Sequence, residues 1–379
     1  MLNLRLNSFV VALFFGISFI SAHAQVIPSK VLGADRSSLA ITPSDFSKFI
    51  PAHQILMQLT PVETPSLERT VDPKAPTPVI VPGNKGGAVV PNKISAPVDS
   101  GIAPRNFGSN SLNTINHYSD KLVPTSISSQ YPYRTTGWFT FTTWNDMSLR
   151  CTAALISRSI LATAGHCVHK GGGGADFFIK SGTFYPAYAD GTQPYGSATV
   201  DSVYTTAGWF NTGGIDMGHD VALVVLNKRL GTNTEIGTTT GWLGFCANFC
   251  LQAYWFNTQL GYPINYYGGR FVTESQHLMY SDGFDYRAGT GMRHGSSGGP
   301  HITNIGELSD TSTNLGQYTL RNILYAVTSW GFVDQSVKIA GFSTTSGPNN
   351  ANNFRAMYNT ACARAQVLHG TTTCALLPL

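Results

Sequence analysis

The chain has 379 residues, of which 42% are hydrophobic and only 12% charged, and its formal net charge is +4. Soluble domains usually carry about 25% charged residues, so this chain is poor in charge without being apolar enough for a membrane protein. It has no cluster of lysine and arginine, which argues against a nucleic-acid partner. Its 39 glycines favour short strands and many turns.

The N-terminus has the pattern of an export signal. Arg5 lies in a short polar start, an apolar run covers about residues 9–20, and the triplet Ala22-His23-Ala24 follows. About 12 apolar residues are too few to span a bilayer, whereas a small-x-small triplet is typical of a signal cleavage site. We therefore expect residues 1–24 to be a cleaved signal peptide and the protein to be secreted, extracellular or periplasmic, with no membrane span. Export also permits disulfides, with which an even cysteine count agrees.

Residues 25–122 are rich in proline and have no coherent periodicity. Repeated prolines resist both helix and sheet, so we expect an extended or disordered segment. All six cysteines follow it. This asymmetry predicts a pro-segment at 25–122 and one disulfide-bearing catalytic domain at 123–379, with a plain N-terminal linker as the alternative.

After residue 131 the sequence turns to short β-type runs. Strands are predicted at residues 138–144, on both sides of a turn at 157–159 within residues 149–164, at 221–226 and at 323–330. Residues 353–367 predict a helix whose apolar side carries Phe354, Met357, Tyr358, Ala361 and Ala365. Many short strands followed by one helix predict an all-β barrel or sandwich.

Three short segments contain residue types suited to nucleophilic catalysis. They are TAGHC at residues 163–167, HDVAL at 219–223 and GSSGGP at 295–300. Each alone is a weak signal, because a histidine beside a cysteine and a serine in a glycine-rich turn are both common.

Taken together, in the order His166, Asp220, Ser297, these segments resemble the chymotrypsin-like (trypsin-like) serine proteases over about residues 131–367. The resemblance implies two antiparallel six-stranded β-barrels with a C-terminal helix. It also implies a serine endopeptidase that needs no cofactor and no metal. A serine hydroxyl is a weak nucleophile, so it needs an adjacent base. The resemblance gives that role to His166, makes Asp220 its orienting partner, and assigns the oxyanion hole to the amides of Gly295 and Ser297. The first barrel would supply His166 and Asp220, and the second Ser297 and the substrate pocket.

The resemblance also implies a disulfide between Cys151 and Cys167, which are 16 residues apart in the sequence. Four further cysteines remain and permit three pairings: Cys246, Cys250, Cys362 and Cys374. We favour the local pairs Cys246–Cys250 and Cys362–Cys374, because they close the shorter loops.

The specificity pocket departs from the trypsin pattern. Ser329, Trp330 and Gly331 resemble the segment that lines the primary pocket and pairs with substrate backbone, although an ordinary buried strand end would look similar. Gly291, six residues before Ser297, stands where trypsin-type enzymes carry aspartate. Its presence argues against a Lys or Arg preference, unless Asp285 reaches the pocket.

Within the family, the sequence most resembles the bacterial V8-like, glutamyl endopeptidase branch. Residues 261–263 and the long Pro-rich segment contribute to this resemblance. Thr328 replaces a histidine that is usual in glutamyl-specific members, which puts Glu specificity in doubt, while Arg293 and His294 keep acidic P1 residues possible. Ser296 replaces the aspartate that pairs with the freed N-terminus in trypsin, so that activation switch cannot operate here.

Two other readings compete with a protease. The first is a catalytically silent homologue that acts as a binding protein. The second is a zinc site built on His166, Cys167 and His169, which we disfavour because zinc needs three or four ligands and the cysteines are expected in bridges. His169, His219 and His294 are expected in loops or facing solvent. The expected partners are protein or peptide substrates and the protein's own propeptide, which makes the chain a zymogen. We expect it to be a monomer.

Overall fold

In the computed structural model, the described parts of the chain are residues 27–32, 50–51, 55–57, 79–87, 105–110, 113–213, 217–247, 256–281, 286–306, 321–332, 334, 336–345 and 354–378. The predicted signal peptide therefore lies outside the described residues. Within them, no helix is both long and apolar enough to cross a membrane.

The chain is mostly β-structure. Its strands are β1 Ser29–Val31, β2 Ile50–Pro51, β3 Ile55–Met57, β4 Val79–Val81, β5 Arg105–Asn110, β6 Asn113–Leu122, β7 Thr136–Thr142, β8 Ser148–Leu155, β9 Ile160–Thr163, β10 Ser181–Pro186, β11 Ala198–Thr205, β12 Ala222–Leu226, β13 Gly244–Ala247, β14 Phe256–Gly261, β15 Thr273–Ser281, β16 Tyr286–Gly289, β17 Pro300–Thr303, β18 Ile323–Phe332 and β19 Ile339–Thr344. The α-helices are α1 Thr125–Ser128, α2 Ala207–Thr212, α3 Ile236–Thr240 and α4 Phe354–His369.

Two six-stranded antiparallel barrels form the body of the protein. The first has the order β11-β10-β7-β8-β9-β12 and closes through the pairing of β12 with β11. The second has the order β14-β17-β18-β19-β16-β15 and closes through the pairing of β15 with β14. The predicted all-β architecture with a late helix is thus confirmed.

Alternation along each strand separates two cores. In β9, Leu161 belongs to the apolar interior of the first barrel, which also contains Phe139 of β7. Its neighbour Ala162 points the other way, into a core that includes Phe245 and Phe354. Successive side chains of a strand point to opposite faces, so one short run contributes to both.

Helix α4 packs on the first barrel, although it follows the second in sequence. Arg364 donates two hydrogen bonds of 2.8 Å to Asp201 on β11. His369 Nε2 lies 2.8 Å from the carbonyl oxygen of Leu226 on β12. The buried residues of the helix include the five predicted for its apolar side. The predicted bridge Cys362–Cys374 ties the tail back to the helix.

The expectation that residues 25–122 resist sheet structure is wrong for several described parts of that segment. β6 pairs antiparallel with residues 273–277 of β15, and β5 pairs with β6. β4 pairs with β13, and β1 pairs with β11. Partners distant in sequence supply the hydrogen bonds and the burial, which local periodicity does not report.

Candidate active site

His166 and Asp220 meet at the edge of the first barrel. His166 lies in a short turn after β9, and Asp220 lies two residues before the start of β12. The ring atom His166 Nδ1 lies 2.7 Å from Asp220 Oδ2, and the backbone N–H of His166 donates to Asp220 Oδ1 at 2.7 Å. Ser329 Oγ of the second barrel donates to Asp220 Oδ2 at 2.5 Å. The fully buried carboxylate therefore accepts three hydrogen bonds, which fix the orientation of the imidazole ring.

The loop that carries Ser297 is attached to the first barrel through Thr152 of β8. The N–H of Thr152 donates to the carbonyl of Ser297 at 2.8 Å, and its hydroxyl donates to the carbonyl of Gly295 at 2.8 Å. Gly298 has a φ of +76°, and a Cβ there would collide with Thr163 Oγ1 and the Thr152 carbonyl. Glycine is thus required where the two barrels meet, and the contact sets the distance between their halves of the site.

Gly295 also has a backbone that favours glycine. Its φ is +93°, and a Cβ would lie 2.5 Å from the carbonyl oxygen of Tyr262. Neither the N–H of Gly295 nor that of Ser297 has a hydrogen-bond acceptor among the described residues.

The two reactive atoms of the site are covered. Ser297 Oγ and His166 Nε2 are inaccessible to solvent, and neither forms a hydrogen bond with a described residue. The serine and the histidine are therefore not joined in this state. Catalytic hydrogen bonds often form only when a substrate is bound. The missing hydrogen bond therefore does not exclude Ser297 and His166 from catalysis.

Ser329, Trp330 and Gly331 lie in β18, which borders the site. Trp330 is buried, and the guanidinium of Arg287 lies 5.1 Å from the centre of its ring. A Cβ on Gly341 would collide with the indole, so the indole packs directly against the backbone of β19. The Trp330 side chain therefore packs against β19. We expect a bound peptide to contact the backbone of β18 rather than this side chain.

Asp120 is a site residue that sequence reasoning missed. The N–H of Gly291 donates to Asp120 Oδ2 at 2.7 Å, and the hydroxyl of Tyr266 donates to the same oxygen at 2.8 Å. Asp120 comes from β6, 171 residues before Gly291. A carboxylate from upstream of the predicted domain thus contacts the position where trypsin-type enzymes carry their own aspartate. Asp285, the other residue considered for this role, lies outside the described residues.

Burial raises the pKa of Asp120 to about 6, and hydrogen bonds from Ser275, Tyr266 and Gly291, with the charge of Arg293, oppose the rise. Below about pH 3 the carboxyl group is mostly protonated in both the folded and the unfolded chain. As the pH rises toward 6 the unfolded chain ionises first, so ionisation favours unfolding. Asp120 therefore lowers the free energy of unfolding progressively across this window.

Asp120→Asn is expected to remove this pH dependence. Relative to the variant, the wild-type protein should lose about 2 kcal/mol of unfolding free energy between pH 4 and pH 6.5, because one pKa unit corresponds to about 1.4 kcal/mol and part of the change falls outside this window. Urea unfolding at half-unit pH steps measures the difference. Asp146→Asn, at an exposed carboxylate, is the control that should run parallel to wild type. If the stability of Asp120→Asn followed the same pH dependence as that of the wild-type protein, the raised pKa of Asp120 would be contradicted.

The other residues considered for specificity are occupied with structural contacts. Arg293 donates to the carbonyl oxygens of Met292 at 3.1 Å and Val337 at 2.9 Å. The hydroxyl of Thr328 accepts from Gln259 Nε2 at 2.7 Å. Ser296 Oγ donates to the carbonyl of Arg293 at 2.7 Å. Arg293 thus supports the pocket loop through two backbone carbonyl groups.

Behind β18 the second barrel has a polar interior that the sequence did not suggest. His301 Nε2 lies 3.1 Å from the Thr328 hydroxyl, and its Nδ1 lies 3.2 Å from Asn257 Oδ1. Burial lowers the pKa of His277, whose ring lies 5.4 Å from that of His301, to about 3. Burial also lowers the pKa of His301 well below its ordinary value. Both rings are therefore neutral at physiological pH.

Cys151, His166 and Cys167 lie close enough to one another to hold a metal ion. However, the two sulfur atoms form the predicted disulfide Cys151–Cys167 and cannot act as thiolates. His169 does not join them, because its ring nitrogens bind the carbonyl of Gly174 and the N–H of Gly171 at 2.9 Å each. This trio does not fit a catalytic zinc.

The position expected for His169 is wrong in one respect. It lies in a loop but is buried, with its ring 4.4 Å from Phe178 and 4.7 Å from Phe210. Burial also lowers its pKa.

Cys246 is disulfide-bonded, whereas Cys250, its predicted partner, lies outside the described residues.

Comparisons with known proteins agree with this geometry. Residues 127–243 match the family described as Trypsin. The chain is 23% identical over 224 residues to the extracellular metalloprotease of Bacillus subtilis (strain 168), covering 56% of this chain and 68% of that protein. It is similar to the crystal structure of the protease Anisep from Arthrobacter nicotinovorans, with 23% identity, a TM-score of 0.49, and coverage of 61% and 96% of the two chains. It is also similar to a structure of a Glu endopeptidase, with 21% identity and a TM-score of 0.48. That match covers 64% of this chain and 96% of the other.

The metalloprotease name belongs to that relative and is not carried over to this chain. The match to the Trypsin family covers the barrel that carries His166 and Asp220. Together with the two closed six-stranded barrels, this match supports a chymotrypsin-like serine protease.

Proposed function

We propose that this protein is a secreted endopeptidase that hydrolyses peptide bonds through an acyl-enzyme on Ser297. The observation that carries the proposal is the buried Asp220 carboxylate. It accepts hydrogen bonds from the backbone and ring of His166, and from Ser329 in the opposite barrel. An aspartate so held keeps the proton of the imidazole on Nδ1 and leaves Nε2 as the base.

The mechanism is the established one for the chymotrypsin-like family. His166 takes the proton of Ser297 as its oxygen attacks the substrate carbonyl, and the amides of Gly295 and Ser297 stabilise the oxyanion. His166 then returns the proton to the leaving amine, and a water molecule hydrolyses the ester by the same route. Each oxyanion donor is worth about a hundredfold or more in rate.

The substrate pocket is proposed at Gly291 and at the backbone of Ser329, Trp330 and Gly331. We also propose a cleaved signal at residues 1–24 and export to the medium or periplasm, which would supply the oxidising conditions that the disulfides need. A pro-segment would follow and be removed. Because β6 pairs with β15 and carries Asp120 to the pocket loop, we place the start of the catalytic domain ahead of β6 rather than at residue 123.

Labelling with a serine-reactive phosphonate tests the proposal. The processed protein should be labelled, Ser297→Ala should not, and Ser296→Ala should still react, because its hydroxyl is engaged with the Arg293 carbonyl. Digestion of a diverse peptide mixture by the same preparation then reports the P1 preference. A folded, processed protein that neither reacts nor cuts peptides would instead be a silent homologue that binds its partners.

A further inference from the structure

Two short strands from far upstream of the barrels lie on strands that border the site. β2 (Ile50–Pro51) pairs with residues 149–150 of β8, and β3 (Ile55–Met57) pairs with residues 330–332 of β18. Both pairings are parallel, whereas every pairing within the two barrels is antiparallel. The same upstream segment thus adds a strand to each barrel.

Both pairings are made on strands that lie next to triad residues. Arg150 directly precedes Cys151, whose disulfide leads to Cys167 beside His166. Trp330 directly follows Ser329, which donates to Asp220. Four Cα–Cα steps separate Pro51 from Ile55, and an extended chain covers at most about 14 Å in four steps. Pro51 and Ile55 therefore lie within about 14 Å of each other.

A substrate would have to run in the opposite direction. The leaving nitrogen takes its proton from His166, so the C-terminal half of a substrate lies on the His166 side, next to β8. The acyl half pairs along residues 329–331. A substrate thus runs from β18 toward β8, whereas the upstream segment meets β8 first and β18 second.

Reversal prevents cleavage for a chemical reason. In a reversed chain the N–H and C=O groups exchange places. A peptide bond near Ser297 then cannot put its oxygen on the amides of Gly295 and Ser297 while its nitrogen faces His166. Ser297 Oγ and His166 Nε2 are both inaccessible to solvent, which agrees with an occupied cleft.

We propose that β2 and β3 lie along the substrate cleft in the reverse direction of a substrate, and so hold the protease inactive without being cut by it. The inference rests on the proposed function of Ser297 and His166. The occupant is a segment of this chain, held by backbone pairing as peptides are held when they add a strand to a sheet edge. Activation then requires release of this segment, and a cut elsewhere in the chain is not sufficient.

Phosphonate labelling of the intact, uncut chain tests the contact. Leu56→Pro removes an N–H from β3 and disturbs its pairing, so Ser297 should be labelled at least about tenfold faster than in the wild-type chain. Lys30→Pro is the matched control, because β1 pairs with β11 rather than with a strand at the cleft. It should label as slowly as wild type. A second variant with Gly-Ser-Gly at residues 55–57 covers the case in which the proline variant does not fold.

The outcomes separate this inference from the proposed function. If both β3 variants label slowly while a chain freed of its upstream segment labels rapidly, the inference is overturned. The proposed protease function is then unaffected. Absence of labelling in every form, including the freed chain, would count against the proposed function itself. Direction is tested by mapping cuts by mass spectrometry. Cuts between Ile50 and Met57 that vanish in Ser297→Ala would show substrate-like binding and overturn the reversed direction.

Discussion

Asp220→Asn is expected to lower kcat by about 10⁴-fold, the effect of the same change in the family's best-known triad. The structure gives the reason. Asp220 Oδ1 accepts from the backbone N–H of His166, a donor that cannot turn away. The asparagine oxygen must stay on that N–H, so its NH₂ group faces His166 Nδ1. The ring must then accept at Nδ1 and carry its proton on Nε2, where it cannot take a proton from Ser297.

Kinetics on peptide substrates measure the loss, with thermal unfolding to show that the variant is folded. Asp201→Asn is the matched control, because Asp201 is also a buried carboxylate in the first barrel but pairs with Arg364. It should lose stability while keeping kcat. Equal kcat values for Asp220→Asn and Asp201→Asn would remove Asp220 from the triad.

Loss of the Cys151–Cys167 bridge is expected to affect both stability and rate. The bridge closes a 16-residue separation, and a loop of this size contributes about 3 kcal/mol through the unfolded state. For a domain of this size that is a fall of about 6–12 °C in the unfolding midpoint. It also joins the turn of His166 to β8, where Thr152 holds the loop of Ser297. The double variant Cys151→Ser, Cys167→Ser should therefore show a lower kcat even where it is folded.

The second described bridge provides the control. Cys362–Cys374 closes a 12-residue separation at the C-terminal helix, so its removal should lower stability by a similar amount. It has no contact with the triad, and kcat should be retained at a temperature where both variants are folded. An unfolding midpoint unchanged by loss of Cys151 and Cys167 would contradict the role of that bridge.

The all-β class, helix α4 and the motifs that contain His166, Asp220 and Ser297 could be found in the sequence because their signals are local. Residues 222–226 form an unbroken apolar run that becomes β12, and the spacing of Phe354, Met357 and Tyr358 predicts α4. His166 and Ser297 each lie in a motif of a few residues. The structure places the motifs of His166 and Asp220 in one barrel and that of Ser297 in the other, as the resemblance implies.

β6 and Asp120 could not be predicted because their signals are not local. The buried positions of β6 include Tyr118 and Asp120, which are polar, so the strand has no apolar alternation. It is a strand because β15 supplies the pairing, and Asp120 is buried because Gly291 and Tyr266 donate to it. Only the folded chain brings these groups together. The same holds for β2 and β3, whose partners are about 100 and 275 residues away.

The position of helix α4 has a consequence for the order in which the protein can form. Residues of α4 complete the face of the first barrel formed by β11 and β12, yet they are synthesised after the whole of the second barrel. Domains usually fold as units during synthesis, the N-terminal one first. Here the N-terminal barrel would stay incomplete until the last part of the chain emerges. The two barrels are therefore expected to become a working pair in one late step, after α4 has been synthesised.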